Sequence, residues 1–172
     1  RQRVFMRSGF QSITASPETK AVLFTGDFEH TIDQKNRLSI PARFRQLLSP
    51  ETVGEKFYLV IGANKKLWLY PDRYYEQLVN RQPAYLIPDA TVLQFEQLTF
   101  GLARLLDVDA SGRVVLPDKM MRRVSLGQEV AIIGVRDHLE IWNREEWDTY
   151  VENGLSEYTQ TLTQARLARM LP

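Results

Sequence analysis

No cysteine occurs in the chain. That excludes disulfides, thiolate-held metals and thiol nucleophiles, and it fits a reducing compartment such as the cytosol. No run approaches the roughly 18 apolar residues of a membrane span. The N-terminus shows no apolar stretch of the kind that marks a secretory signal. Charge of one sign is missing too: 22 Lys and Arg stand against 21 Asp and Glu, a net charge of +1. Attraction to a polyanion must then come from local clustering. The two histidines, His30 and His138, lack the spacing of a metal-ligand pair. Each is expected to be half-exposed, and no metal or cofactor is expected. A glycine-rich phosphate loop of either standard spacing is absent. What remains is 172 residues, 44% hydrophobic and 25% charged. That is enough for one ordinary globular domain or two small ones.

What the chain does have is a repeat. Asp33-Gln34-Lys35-Asn36-Arg37 has a near copy in Asp109-Ala110-Ser111-Gly112-Arg113, 76 positions on. Each copy opens with Asp and places a turn-former, Asn36 or Gly112, just before an Arg. Each runs on into an apolar stretch, a proline and a basic segment, ending at Arg43-Phe44-Arg45 in one and Met121-Arg122-Arg123 in the other. Further on, Gly134 matches Gly62, Trp142 matches Tyr70 and Trp147 matches Tyr75, at an offset of 72. The shorter offset is a small deletion between helix and hairpin, which costs little in a surface loop. Several residue types agreeing at one offset mark an internal duplication.

Residues 1–22 are polar and without period, and they read as a disordered extension; a basic arm touching nucleic acid is the functional alternative. The first repeat spans 24–82. Alternation from Phe24 to Ile32 predicts a strand, 33–36 a turn, and Arg37 to Ile40 a second strand. Pro41 opens a helix with Phe44, Leu47 and Leu48 on its apolar side. Phe57–Ile61 and Leu67–Tyr70 form a hairpin, and Pro71-Asp72 opens a helix through Val79. Residues 83–102 are a linker and a helix, capped by Asp89 or Thr91. Its stripe of Val92, Phe95, Leu98 and Leu102 is expected to be core between the repeats. The second repeat, 103–152, runs in the same order, with its hairpin turn at Val135–His138. The tail, 153–172, reads as a frayed helix packing on a neighbour.

Each Asp, four residues before its Arg, is positioned to pin the turn by accepting from turn N–H groups, the guanidinium or both. Asp33, Asp109 and Gly112 are therefore turn-stabilising. An Arg leaving a turn also reaches outward, where its planar fork suits phosphate and guanine edges. Lys35, Arg37, Arg43 and Arg45 crowd one short segment; Arg113, Lys119, Arg122 and Arg123 crowd the other. On a nearly neutral protein such clusters are the asymmetry of a phosphate-binding face; the plainer reading, which composition alone favours, is a solvated helix face. An aspartic-protease-like dyad is rejected: neither Asp is followed by a hydroxyl residue and glycine, and each neighbouring Arg holds its carboxylate ionised. The repeated aromatics Trp68, Tyr70, Tyr74, Tyr75, Trp142 and Trp147 point to core rather than base stacking.

Phe24-Thr25-Gly26-Asp27-Phe28-Glu29-His30, followed by Asp33 to Arg45, closely resembles the start of the MraZ family of bacterial transcriptional regulators. The second Asp–Arg turn, with Gly112-Arg113 and Pro117, resembles the family's second repeat, so the likeness covers about Phe24 to Tyr150. The resemblance implies an α+β fold: two tandem AbrB-like swapped-hairpin β-barrel modules with short helices. It implies no enzymatic activity and a cytoplasmic, nucleoid-associated regulator. Its expected partners are double-stranded DNA, as direct repeats in the promoter of the division and cell wall gene cluster, and further copies of itself, as a ring. By motif position DNA would be touched by Lys35, Asn36, Arg37 and Arg113, with Arg43 and Arg45 as backbone contacts. An AbrB-like antitoxin or a protein-assembly module is the alternative.

Overall fold

The computed structural model describes residues 22–82 and 89–170. Nearly all of the expected extension, the centre of the linker and the last two residues lie outside the described residues. The chain is mixed α+β, an antiparallel sheet with short helices.

The strands follow the alternation of the sequence. β1 (Phe24–Thr31) lies beside β7 (Glu129–Arg136), with Phe24 opposite Arg136 and Thr31 opposite Glu129. β3 (Phe57–Ile61) and β4 (Leu67–Pro71) form one hairpin, and β7 with β8 (His138–Asn143) forms the other. β5 (Arg104–Leu106) pairs with β3, and β4 pairs with β8. The six-stranded order is thus β1-β7-β8-β4-β3-β5. Each repeat's first strand completes the hairpin of the other repeat, and the two hairpins join in the middle.

The second strands, β2 (Arg37–Ser39) and β6 (Arg113–Val115), pair only with each other, Leu38 facing Val114. Both of those residues are fully buried. The repeats predicted from the sequence are therefore interlocked, not side by side.

One face of the sheet and the β2–β6 ladder enclose the core. It holds Phe44, Phe57, Leu59, Leu67, Leu69, Val130, Ile132, Leu139 and Ile141. Phe44 meets Phe24 and Phe28 edge-on, with ring centroids 5.5 and 5.0 Å away, the geometry that ring quadrupoles favour. Pro41, Pro71 and Pro117 each stand immediately before a helix: α1 (Ala42–Arg45), α2 (Asp72–Asn80) and α4 (Asp118–Arg123). Proline costs nothing there, because the first helical N–H groups have no partner within the helix. α1 stops after four residues, so Leu47, expected on its apolar side, is 41% exposed.

The other face carries the repeated aromatics with a polar network among them. His138, Glu140 and Trp142 alternate on β8, and Trp68 lies across from Glu140 on β4. Glu140 accepts from Trp142 Nε1 at 2.7 Å and Asn64 Nδ2 at 2.8 Å. His138, 7% exposed, bonds Asp137 at 2.8 Å and Glu140 at 3.3 Å, and stacks on Trp68 with 4.2 Å between centroids. The half-exposed histidine expected from the sequence is corrected: the hairpin turn is tighter than predicted, and His138 is already strand, inside this network. His30 is half-buried as expected. Burial works to raise Glu140, but the bonds from His138, Trp142 and Asn64 outweigh it and hold the carboxyl below its ordinary range.

Two helices depart from the sequence reading. α3 (Ala90–Leu102) is capped by Asp89, which accepts from Thr91 and Val92 N–H at 2.8 and 3.0 Å. It has no buried residue, so its stripe is not core between the repeats; of the stripe only Leu102, half-buried, packs against the core. The tail is helical, as expected, but in two pieces: α5 (Arg144–Ser156) runs on past residue 152 and is followed by α6 (Tyr158–Met170).

Gly134 faces Gly26 across the β1–β7 ladder, and a Cβ at Gly134 would stand 2.6 Å from Thr25 N and 2.7 Å from Phe24 C. Gly134→Ala is expected to lower stability by about 1–3 kcal/mol, measured by denaturant unfolding. A chain ended after Gln82 leaves β1 and β2 without ladder partners. It is expected to show no cooperative unfolding transition alone and to regain one when mixed with the chain from Asp89 onward, followed by circular dichroism.

Candidate nucleic-acid interface

The duplicated turn takes one geometry twice. In the first copy the Asn36 N–H donates to the Asp33 carbonyl at 2.9 Å, and the Asp33 N–H to the Arg37 carbonyl at 3.1 Å. In the second, Gly112 N–H to Asp109 carbonyl and Asp109 N–H to Arg113 carbonyl are both 2.8 Å. A β-turn followed by one left-handed residue is a standard way to reverse a chain. Asn36 at φ +57° and Gly112 at φ +76° are those residues. Asparagine and glycine are the types that accept this conformation most readily.

The aspartates close the turns from inside. Asp33 Oδ1 accepts from Lys35 and Arg37 backbone N–H at 2.8 and 2.9 Å, and Asp109 Oδ1 from Ser111 and Arg113 at 2.8 and 3.0 Å. The second carboxylate oxygen takes the guanidinium: Arg37 Nε at 2.6 Å and Arg113 Nε at 2.9 Å, with Nη2 at 2.6 and 2.8 Å. Backbone donation from Arg37 is the leading cause that holds Asp33 below the usual aspartate range, with the Arg37 guanidinium and Lys35 N–H adding to it. For Asp109 the Arg113 side chain leads and its N–H follows. An exposed ion pair is worth little by itself. Its effect here is to fix the direction of each guanidinium.

The arginines are held, not sunk. Arg37 and Arg113 side chains are 33% and 32% exposed, and no bond to Nη1 of either is found among the described residues. Because Leu38 and Val114 point inward, Arg37, Ser39, Arg113 and Val115 share the outer face of the ladder. Arg37 stands opposite Val115, and Arg113 opposite Ser39. The two arginines are therefore diagonal neighbours, about 7–8 Å apart at the backbone.

Lys35 is exposed at the tip of the first turn. Arg43 is exposed on α1. Arg45 reaches back from α1 to the second turn: its Nε donates to the Ile40 carbonyl at 3.1 Å, and a Cβ on Gly112 would meet its Cζ at 2.5 Å. The left-handed φ favours glycine at this turn, and the Arg45 side chain lies across it. Among the described residues no ion pair engages Lys35, Arg43 or Arg45. In the second cluster Arg122 pairs with Asp118, and Arg123 lies on Met120 Sδ at 3.7 Å. Sequence reasoning did not bring Arg45 to the second turn. A positional signal was available: position 45 in the first repeat is an arginine where the second has Met121, which is buried.

No group of residues fit to hold a metal ion is found among the described residues, nor any helix long and apolar enough to cross a membrane.

The model of the family described as "MraZ protein, putative antitoxin-like" matches residues 23–93 and again 99–170. The chain belongs to the MraZ family. It is similar to proteins named transcriptional regulator MraZ. The relative from Syntrophomonas wolfei is 34% identical over 138 residues, covering 80% of this chain and 93% of its own length. Those from Desulforamulus reducens and Carboxydothermus hydrogenoformans are 32% and 33% identical over the same span. The second MraZ match continues through α5 and α6, past residue 152, where the sequence reading ended the second repeat. Each MraZ match contains one Asp–Arg turn.

A depressed carboxyl stabilises the turn fully above the ordinary aspartate pKa, and that stabilisation is lost as pH falls through the lower, folded value. In a carboxyl-detected NMR titration, Asp33 and Asp109 are each expected to titrate below a free aspartate, the direction their bonds impose.

Proposed function

We propose that the chain is a sequence-specific DNA-binding transcriptional regulator that reads through its paired Asp–Arg turns. The observation that carries this reading is the outer face of the β2–β6 ladder, where two pre-aimed guanidinium groups stand near Lys35 and Arg45, which no ion pair engages among the described residues. A fixed fork loses little freedom on binding and suits a guanine edge or a phosphate. Asn36 adds an amide at the first turn. Val115, 56% exposed opposite Arg37, is the apolar contact that a thymine methyl takes. Lys35, Arg43 and Arg45 are placed for the sugar–phosphate backbone. The names of the relatives support regulation rather than enzymatic activity.

In this reading the fold is the AbrB-like swapped-hairpin barrel, doubled in one chain. Its site is a set of direct repeats in the promoter of the division and cell wall gene cluster, and its place is the cytoplasm, on the nucleoid. Several copies act together as a ring. One copy offers few cations, and a net charge of +1 gives little long-range pull. Several copies on successive repeats multiply weak contacts without new ones. The second reading, an AbrB-like antitoxin or assembly module with a protein partner, is favoured by the words "antitoxin-like" in the family description.

A mobility-shift assay on DNA from upstream of the chain's own gene separates the two. Arg37→Ala and Arg113→Ala are each expected to cost about 1–3 kcal/mol of specific binding with assembly unchanged. Lys35→Ala is expected to weaken all sequences alike and to reduce the salt slope by about 1. Binding by the Arg37→Ala, Arg113→Ala double variant equal to the parent's at physiological salt overturns the proposal.

A further inference from the structure

Where α2, β3 and the end of α3 meet, a groove of about 360 Å³ stands open, walled by Tyr58, Tyr75, Val79 and Phe100, with Glu76 in its lining. That volume lies within the roughly 300–1,000 Å³ of small-molecule sites. Three elements supply its rings: Tyr58 comes from β3, Tyr75 from α2 and Phe100 from α3. Tyr75 lies against Tyr58 and Tyr70, with centroids 4.9 and 5.5 Å away. Those two tyrosines face each other across the β3–β4 hairpin, so the Tyr75 ring is held on the sheet.

Two features give the groove a chemistry. The first is a hydroxyl without a partner. Tyr75 is 9% exposed, and its phenol oxygen is buried with no hydrogen bond among the described residues. A buried donor left unmade costs free energy; phenylalanine would fill the same space without that cost. A ligand carrying an acceptor oxygen removes it. The second feature is the sign of charge. Among the described residues Glu76 is the only charge in the lining, and no Lys or Arg joins it. Its carboxylate accepts from Tyr58 OH at 3.4 Å. Burial leads in pushing the Tyr58 phenol up, and the negative charges of Glu76 and then Asp72 add to it. Aromatic faces attract cations through their quadrupole, and a carboxylate beside them draws the same sign.

We propose that this groove binds a small organic cation: a quaternary or protonated amine with an apolar body and an acceptor oxygen. The ammonium group lies between the tyrosine rings and the Glu76 carboxylate. The oxygen accepts from the Tyr75 hydroxyl, and the apolar body lies along Val79 and Phe100. A molecule so placed bridges α2 of the first repeat and α3, where the chain crosses toward the second. The site shares no residue with the Asp–Arg turns.

Benzoylcholine carries all three features. Its neutral isostere is 3,3-dimethylbutyl benzoate, with carbon in place of nitrogen. Isothermal titration of the full chain at physiological salt is expected to show one benzoylcholine site per chain, with the neutral ester about tenfold weaker. Glu76→Gln is expected to weaken benzoylcholine by about tenfold and to leave the neutral ester unchanged. Tyr75→Phe is expected to weaken both esters about fivefold, while the variant alone unfolds no more easily than the parent. Saturating benzoylcholine is expected to raise the unfolding temperature of the parent. Equal affinity for the two esters overturns the inference. So does a Glu76→Gln variant that binds benzoylcholine as the parent does. Absence of binding at millimolar benzoylcholine overturns it as well, and leaves the groove to packing. None of these readouts involves DNA.

Discussion

Neither repeat can satisfy its own backbone. β1 finds its hydrogen bonds on β7, β5 finds its own on β3, and β2 and β6 have only each other. An unpaired buried amide or carbonyl is costly, so the halves fold together. The exchange also sets the geometry of the candidate site. Because Leu38 must face Val114 in the core, the residues on either side of each must face out, and two of those are the arginines. The positioning of Arg37 and Arg113 is thus a by-product of burying one residue from each half.

Rigidity at the turns comes from a second, local layer. One carboxylate gathers two backbone N–H groups and a guanidinium, twice over. The pair that pins the loop also aims the donor. Nε and Nη2 of each arginine hold the turn, and the proposed function gives recognition to the remaining Nη1 of the same side chain.

Much of this was legible in the sequence because it is local. The Asp-to-Arg spacing, the turn-formers at 36 and 112, and the prolines before three helices are all contained within a few residues. So is the alternation that defines β1, β4 and β8. What the sequence hid is long-range. Nothing in residues 24–31 says that their partner lies at 129–136, so the repeats read as neighbours when they are interleaved. The stripe of α3 looked like core because periodicity reports that residues are apolar, not that they are covered. His138 looked exposed because a turn was drawn too wide. The alternation of His138, Glu140 and Trp142 already placed them on one face.

Fusing two halves into one chain frees them to diverge. A pair of identical chains around a dyad offers the same tips on both sides and so cannot tell left from right. Here the first tip carries Lys35 and Asn36, the second Ser111 and Gly112, and Arg45 lies over the second alone. The molecule therefore has a handed tip pair, a front and a back along the ladder. If the proposed function holds, such a reader lies on its polymer in one orientation only.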